Sequence, residues 1–445
     1  HCRRRSGKSD TGACGKLRIL VISRSAWDAG NNTGNTLQNF FADSPFEMYN
    51  LYMRAEAPGK NPCKAIFHIT EAQLVRSLLR HEDCGAAVKA ETGSKDKSAA
   101  HEKQLYDKVK RHNFYLFHFL RELLWNMGKW KNHNLEDFLD EVKPDILFMP
   151  AFGCLYPYKI LLHIQKLTGA KIVLFHADDN YSLRQFHFSP LYWLYRFRLR
   201  SLIRKAVKCS AANYCISPLQ KKEYEKAFGV SCKLLQKFVD FSKIPPKKEL
   251  SKPIKIVYTG NLATGRWKTL ALIAESLKRI NENGVKAVLY IYSATVLAPK
   301  SEKRLDDGKN SFFLGAVSPQ EVDRVQNEAD ILLHAESFGR RDRFTVRQSF
   351  STKIVDYFKR RRCLLAVGPK DVASIDCLIT GKCAYTITAP SELTKKLDFL
   401  LSHPEEISAY AEKSFRYGAE NNGFDKRLAF YRELAELQNN KNVKC

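Results

Sequence analysis

Short apolar runs alternate with helix-length amphipathic segments along nearly the whole chain, and the alternation starts twice. A buried strand followed by a helix is the repeating unit of a parallel sheet covered on both faces. In the first series, Leu17–Ile22, Ile146–Met149, Ile172–Phe175 and Asn213–Ser217 are predicted strands. Helices are predicted between them at Pro157–Leu167, Leu183–Val207 and Leu219–Phe228. The stretch from about Glu82 to Ala100 is polar and small and reads as an insertion, followed by a long helix through Trp125. The pattern fails over 241–253 (FSKIPPKKELSKP), where adjacent prolines and four lysines carry no apolar period, so this is the expected linker. A second series then begins, with strands at Lys255–Tyr258, Val285–Tyr292, Asp330–His334, Cys363–Val367 and Ala384–Thr388. Leu270, Ile273, Leu277 and Ile280 form a helix stripe, and Ser318-Pro319-Gln320-Glu321 is a capping box that opens another helix. At 445 residues the chain has material for two cores. The expected division is a first α/β domain over 16–240, a linker over 241–253, a second over 254–422, and a last helix over 423–445.

The formal net charge of +26 points to an anionic partner: nucleic acid, an anionic membrane face, or a phosphorylated small molecule. No zinc-finger or RNA-recognition signature accompanies the charge, which disfavours nucleic acid. Twelve cysteines are scattered without a CxxC pair or a dense framework, which predicts free thiols in a reduced, cytoplasmic setting. No apolar run reaches the length of a membrane span, and no secretory leader is expected.

Three segments carry candidate chemistry. The predicted strand Lys255–Tyr258 runs into Gly260 and Asn261 and then a basic helix start with Arg266 and Lys268. A glycine after a strand lets backbone approach a ligand, and amide donors with two cations suit a diphosphate. The bland alternative is a βα turn with solvated charges. Ser351, Thr352 and Lys353 open a second helix start, with Asp356 one turn on. Hydroxyls and a cation suit phosphate, and a carboxylate suits ribose; the alternative is a helix cap with a surface acid. In the first half, His176, Asp178 and Asp179 follow a strand. They therefore lie at the carboxyl edge of a sheet, where an imidazole and two carboxylates can orient or deprotonate a hydroxyl; the alternative is a turn with Asx caps.

The run S-T-K-I-x-D-Y-F, followed by L-L-A-V-G-P, resembles the donor-binding segment of retaining GT-B glycosyltransferases related to family four. The order of parts before it, through G-A-V-S-P-Q-E-V and A-D-I-L-L-H, resembles the same family over about residues 254 to 385. The resemblance implies a GT-B fold: α/β, two Rossmann-like domains facing each other across a cleft. It implies that Arg266 or Lys268, with Ser351, Thr352 and Lys353, hold the diphosphate of a UDP- or GDP-sugar. Asp356 stands where a glutamate usually binds ribose, and Gly315-Ala316-Val317 would flank the base. The family's E-x7-E pair is not reproduced: eight residues before Asp356 stands Gln348, and Glu336, further upstream, is the acid expected to reach the sugar as a catalytic group. Gly34, Asn35 and Thr36 resemble the small-residue loop that faces the acceptor.

The implied reaction is glycosyl transfer to a hydroxyl of a glycan or lipid-linked acceptor, in surface-polysaccharide synthesis, with neither metal nor other cofactor. A sugar epimerase of the same fold, cleaving the same bond without an acceptor, is the alternative within enzymes. A basic nucleic-acid-binding protein is the alternative outside them. The aromatic and basic stretch from Tyr192 to Lys208 predicts a helix that meets an anionic membrane surface, or else one packed into the first domain.

Overall fold

The structure, a computed structural model, describes residues 16–28, 30–88, 114–185, 187–242, 246 and 249–439. Two sheets organise it. The first contains β1 (Arg18–Ser23), β2 (Glu47–Tyr52), β3 (Cys63–His68), β4 (Ala86–Val88), β5 (Ile146–Pro150), β6 (Lys171–His176), β7 (Ser210–Cys215) and β8 (Lys233–Leu234). Their spatial order is β4-β3-β2-β1-β5-β6-β7-β8, parallel except for the β3–β4 pair. The second contains β9 (Ile254–Thr259), β10 (Ala287–Tyr292), β11 (Ser311–Phe313), β12 (Ile331–Ala335), β13 (Cys363–Val367) and β14 (Tyr385–Ile387). Its order is β11-β10-β9-β12-β13-β14, all parallel. These are the two parallel-sheet Rossmann-like halves of a GT-B fold.

The central strands are apolar on both faces because helices cover both. Ile19–Ile22, Ile146–Met149 and Ile331–Leu333 are completely buried. In each sheet the strand order reverses once, between β1 and β5 and between β9 and β12. At such a reversal the connecting helices leave to opposite faces and open a crevice at the strands' carboxyl ends.

Three expectations needed revision. Cys209 is disulfide-bonded where free thiols were expected, while the other described cysteines are free. β2 escaped the sequence reading because Asn50 interrupts its apolar run; the structure buries Asn50, whose Nδ2 donates to Val21 O at 2.9 Å and to Ser23 Oγ at 3.0 Å. The helix expected from Leu183 begins at Pro190 and runs to Lys208. Proline favours the first helical turn, and the preceding loop is held by Asp179, which accepts from Ser182 N at 2.8 Å. The helix Phe424–Asn439 lies on the first domain: Phe430 packs on Phe40, Phe41 and Tyr214, and Tyr431 Oη donates to Phe40 O at 2.7 Å.

Candidate active site

The crevice of the second sheet gathers residues from three places. Gly260 and Asn261 follow β9, Glu336 follows β12, and Lys353 begins the helix Lys353–Lys359. Arg266, the first residue of the helix Arg266–Ile280, grips Glu336 with both arms: Nε to Oε2 at 3.1 Å and Nη2 to Oε1 at 3.0 Å. Its remaining nitrogen, Nη1, donates to Asn261 Oδ1 at 2.8 Å. Burial pushes the Glu336 carboxyl upward, and the Arg266 guanidinium holds it back. Burial also works against the charge on Arg266, but Glu336 outweighs it and the net shift is upward. His334 lies behind the pair, with Nε2 3.0 Å from Ser374 Oγ and 3.5 Å from Glu336 Oε1. Burial, reinforced by the charges of Arg266 and Lys353, pushes this imidazole down to about 3, so it is neutral near pH 7.

Lys353 reaches the same point from the other side. Its amine sits against Gly260, in the space a β-carbon there would take, so a side chain at 260 would push the amine aside. Among the described residues Lys353 Nζ has no hydrogen bond or ion pair. Burial, with Arg266 adding to it against the pull of Asp356, pushes the ammonium down to about 8. A half-buried, unpaired cation beside an Arg–Glu pair is poised for an anion. The helix that carries it is fixed by Tyr357, whose hydroxyl lies 3.1 Å from Thr259 Oγ1 at the end of β9.

Other predicted residues are placed differently. Lys268 is exposed, with its amine 5.9 Å from the Trp267 ring, and does not join the cluster. Asp356 is paired with Lys237 of the first domain, Nζ to Oδ1 at 2.6 Å. Thr352 borders a narrow gap whose opposite wall includes Asn35 and Thr36, so these two candidate acceptor residues do face the second domain. Gly34 stands where a β-carbon would overlap the Asp28 backbone, and its amide donates to Asn31 Oδ1 at 2.7 Å. Ser351 is half-buried at the same helix start.

At the end of β6, His176 is fully buried, 3.4 Å from Asn213 Oδ1 and edge-on to Tyr224. Burial pushes it down to about 4, with Asn213 opposing. Asp178 is the exposed member of that loop, and its Oδ1 accepts from Ser349 Oγ of the second domain at 2.8 Å. Gln348, at the place of the absent acid, is buried against the first domain: its carbonyl accepts from Ser217 Oγ at 2.8 Å, and its amide donates to Glu223. Glu223 also receives Arg347 Nη1 at 2.6 Å. Lys237, Ser349, Glu223 and Arg347 carry these cross-domain contacts and were not singled out from the sequence. They sit outside any strand or strongly patterned helix face, so only the tertiary arrangement reveals them.

No protein-family model matches the chain, and a comparison with curated proteins finds no match. Solved structures do match it in fold. HepE of Anabaena in complex with UDP is similar at a TM-score of 0.61 and 11% identity, over 94% of this chain and 99% of that one. The sucrose-phosphate synthase of Thermosynechococcus elongatus gives 0.59 and 9%, over 95% and 98%. A glycosyltransferase from Rickettsia africae gives 0.57 and 11%, over 94% and 99%. The likeness spans both domains, and at these identities it is a likeness of fold.

Proposed function

We propose that the protein is a glycosyltransferase that takes a UDP- or GDP-sugar in the second domain and transfers the sugar to a hydroxyl presented by the first. The observation that carries this reading is the unpaired Lys353 amine packed against Gly260 beside the Arg266–Glu336 pair. A nucleoside diphosphate would supply the missing anion. In the reaction that diphosphate is the leaving group, so two preorganised cations at its oxygens lower the barrier where charge develops. The structural neighbour HepE has been captured with UDP and with UDP-glucose, which supports the same donor chemistry here. Asp178, exposed at the cleft edge, is the group we assign to orient the acceptor hydroxyl. Glu336 would hold Arg266 in position. The experiment is release of UDP or GDP from a panel of nucleotide sugars with and without acceptor glycans. Acceptor-dependent release supports transfer, whereas conversion of the sugar without acceptor favours the epimerase.

We also propose that the protein works at an anionic membrane surface, on the cytoplasmic side, in the synthesis of a lipid-linked surface glycan. No described helix is long and apolar enough to cross a membrane. Phe119, Leu123, Leu191 and Leu194 nevertheless expose apolar side chains around one depression, with Lys159 and Arg198 beside them. Apolar side chains ringed by cations match a headgroup interface. This face includes only part of the stretch predicted to dock. Arg196 is buried, bonding Ser182 O and Asp179 O, and Arg200 is bonded to the Tyr181 carbonyl. Those arginines serve the fold.

A further inference from the structure

The depression at the proposed membrane face is built by two helices that face each other without closing. Phe119, Glu122, Leu123 and Asn126 lie three and four residues apart on the helix Phe114–Met127 and so share one face of it. Leu191, Leu194, Tyr195, Arg198 and Leu202 form the matching stripe on the helix Pro190–Lys208. Such stripes ordinarily interdigitate. Here they enclose about 400 Å³, and Phe119, Leu123, Leu191 and Leu194 keep between 41% and 48% of their surface exposed.

Opposite charges stand side by side in it. Glu122 is 4% exposed. Its Oε1 accepts from Leu155 N at 2.8 Å and from Tyr195 Oη at 3.0 Å, whereas its Oε2 has no hydrogen-bond partner among the described residues. Asn126, one helical turn on, accepts from Lys159 Nζ, so that ammonium stands about one turn from the Glu122 position. Arg198 lies one turn from Tyr195 on the other helix. Neither cation has an ion pair among the described residues. Burial pushes the Glu122 carboxyl up, against the Leu155 amide and the charges of Arg121 and Lys159. Burial pushes Lys159 down, with Glu122 opposing and Arg198 adding to the shift.

A buried carboxylate oxygen without a partner is costly, and a cationic donor would answer it. Lys159 and Arg198 call for an anion one turn away, and the apolar walls call for hydrocarbon. We infer that the depression holds one phospholipid with a phosphoethanolamine head, its phosphate on Lys159 and Arg198, its ammonium on Glu122 Oε2 and its chains along Leu123, Leu191 and Leu194. A primary ammonium has three hydrogens to donate. A trimethylammonium head has none, and the hydroxyls of a glycerol head bring no charge to match the carboxylate. This rests on the reading of the face as membrane-docking and names the lipid that the face selects.

The test is calorimetric titration of the full chain with the dihexanoyl forms of phosphatidylethanolamine, phosphatidylglycerol and phosphatidylcholine, each kept monomeric. The expected result is saturable binding of the ethanolamine lipid, about tenfold or more tighter than of the other two. Lys159→Gln/Arg198→Gln should weaken it by about tenfold or more at the parent's unfolding midpoint, and Glu122→Gln should bring the ethanolamine and choline lipids to equal affinity. No binding of the ethanolamine lipid, equal binding of the three, or unchanged affinity in Lys159→Gln/Arg198→Gln would overturn the inference. Flotation with phosphatidylglycerol vesicles that lack phosphatidylethanolamine tests the membrane reading separately. Flotation without titratable ethanolamine lipid refutes the lipid site and leaves that reading standing; the opposite pair of results keeps the site and refutes the reading.

Discussion

Arg266 donates to both carboxylate oxygens of Glu336, at 3.1 and 3.0 Å, across the point where the second sheet reverses its strand order. The pair joins the start of one helix to the end of β12, and Thr269 Oγ1 reinforces it by donating to Glu336 O at 2.9 Å. Glu336 is 3% exposed and Arg266 18% in their side chains, so removing one partner leaves the other buried without a counter-charge. Glu336→Ala should therefore cost about 3 kcal/mol of stability, measured by urea denaturation. A loss below about 1 kcal/mol would show that the pair is not a structural element of the crevice.

Lys353 should behave in the opposite way. Its amine is pushed down to about 8 in the folded chain, against 10.5 when unfolded. Between those values the unfolded state binds more protons, so stability rises with pH through that window. Below it, the buried charge is a cost. Lys353→Met should raise the unfolding midpoint of the ligand-free protein at pH 7 and weaken UDP binding. The stabilisation should shrink as pH rises through that window.

A bound diphosphate restores the Lys353 charge. Binding of UDP near pH 8 should then take up a proton, seen as a dependence of the calorimetric heat on the buffer's ionisation enthalpy. Affinity should fall as pH rises above 8, by no more than about tenfold per unit. A flat affinity from pH 7 to 9.5 would remove Lys353 from the phosphate site.

The two-sheet architecture was legible because parallel strands buried on both faces are written as short apolar runs, and because 241–253 has no such pattern. β2 was not legible: Asn50 reads as a loop residue until the backbone of β1 is beside it. In the site, Gly260, Asn261, Arg266, Glu336 and Lys353 come together as glycine, base and acid placed at strand ends. Lys268, two residues from Arg266, points away because the first turn of a helix sends neighbouring side chains in different directions. His176 is the last residue of its strand and stays within the sheet's cover, whereas Asp178, two residues on, reaches solvent.

Asp356 presents a partner no local pattern could announce. Its ion pair with Lys237 is partly exposed and so contributes less than about 1 kcal/mol to stability. Asp356→Asn should leave pyrophosphate binding nearly intact and weaken UDP binding, because we assign its free oxygen to ribose. Equal losses for the two ligands would make Asp356 a support for the phosphate site instead.

At the proposed membrane face, Arg196→Gln should lower stability by about 3 kcal/mol, since it strips a buried loop of its charged donor, with no change in vesicle flotation after correction for folded protein. Leu194→Ser with Phe197→Ser should do the reverse: reduced flotation with anionic vesicles at unchanged stability. Flotation insensitive to those two residues and to salt would leave the helix a purely internal element.

The proposed transfer requires a nucleoside diphosphate to meet Lys353 and Arg266, and the direct measurement is calorimetric titration of UDP and GDP into the parent protein and Lys353→Ala at pH 7. Saturable binding of one of them, weakened by about 1.5–3 kcal/mol in the variant through loss of a charge-assisted contact, is the predicted result. Binding of equal strength in both proteins, or no binding of either nucleotide, would contradict it.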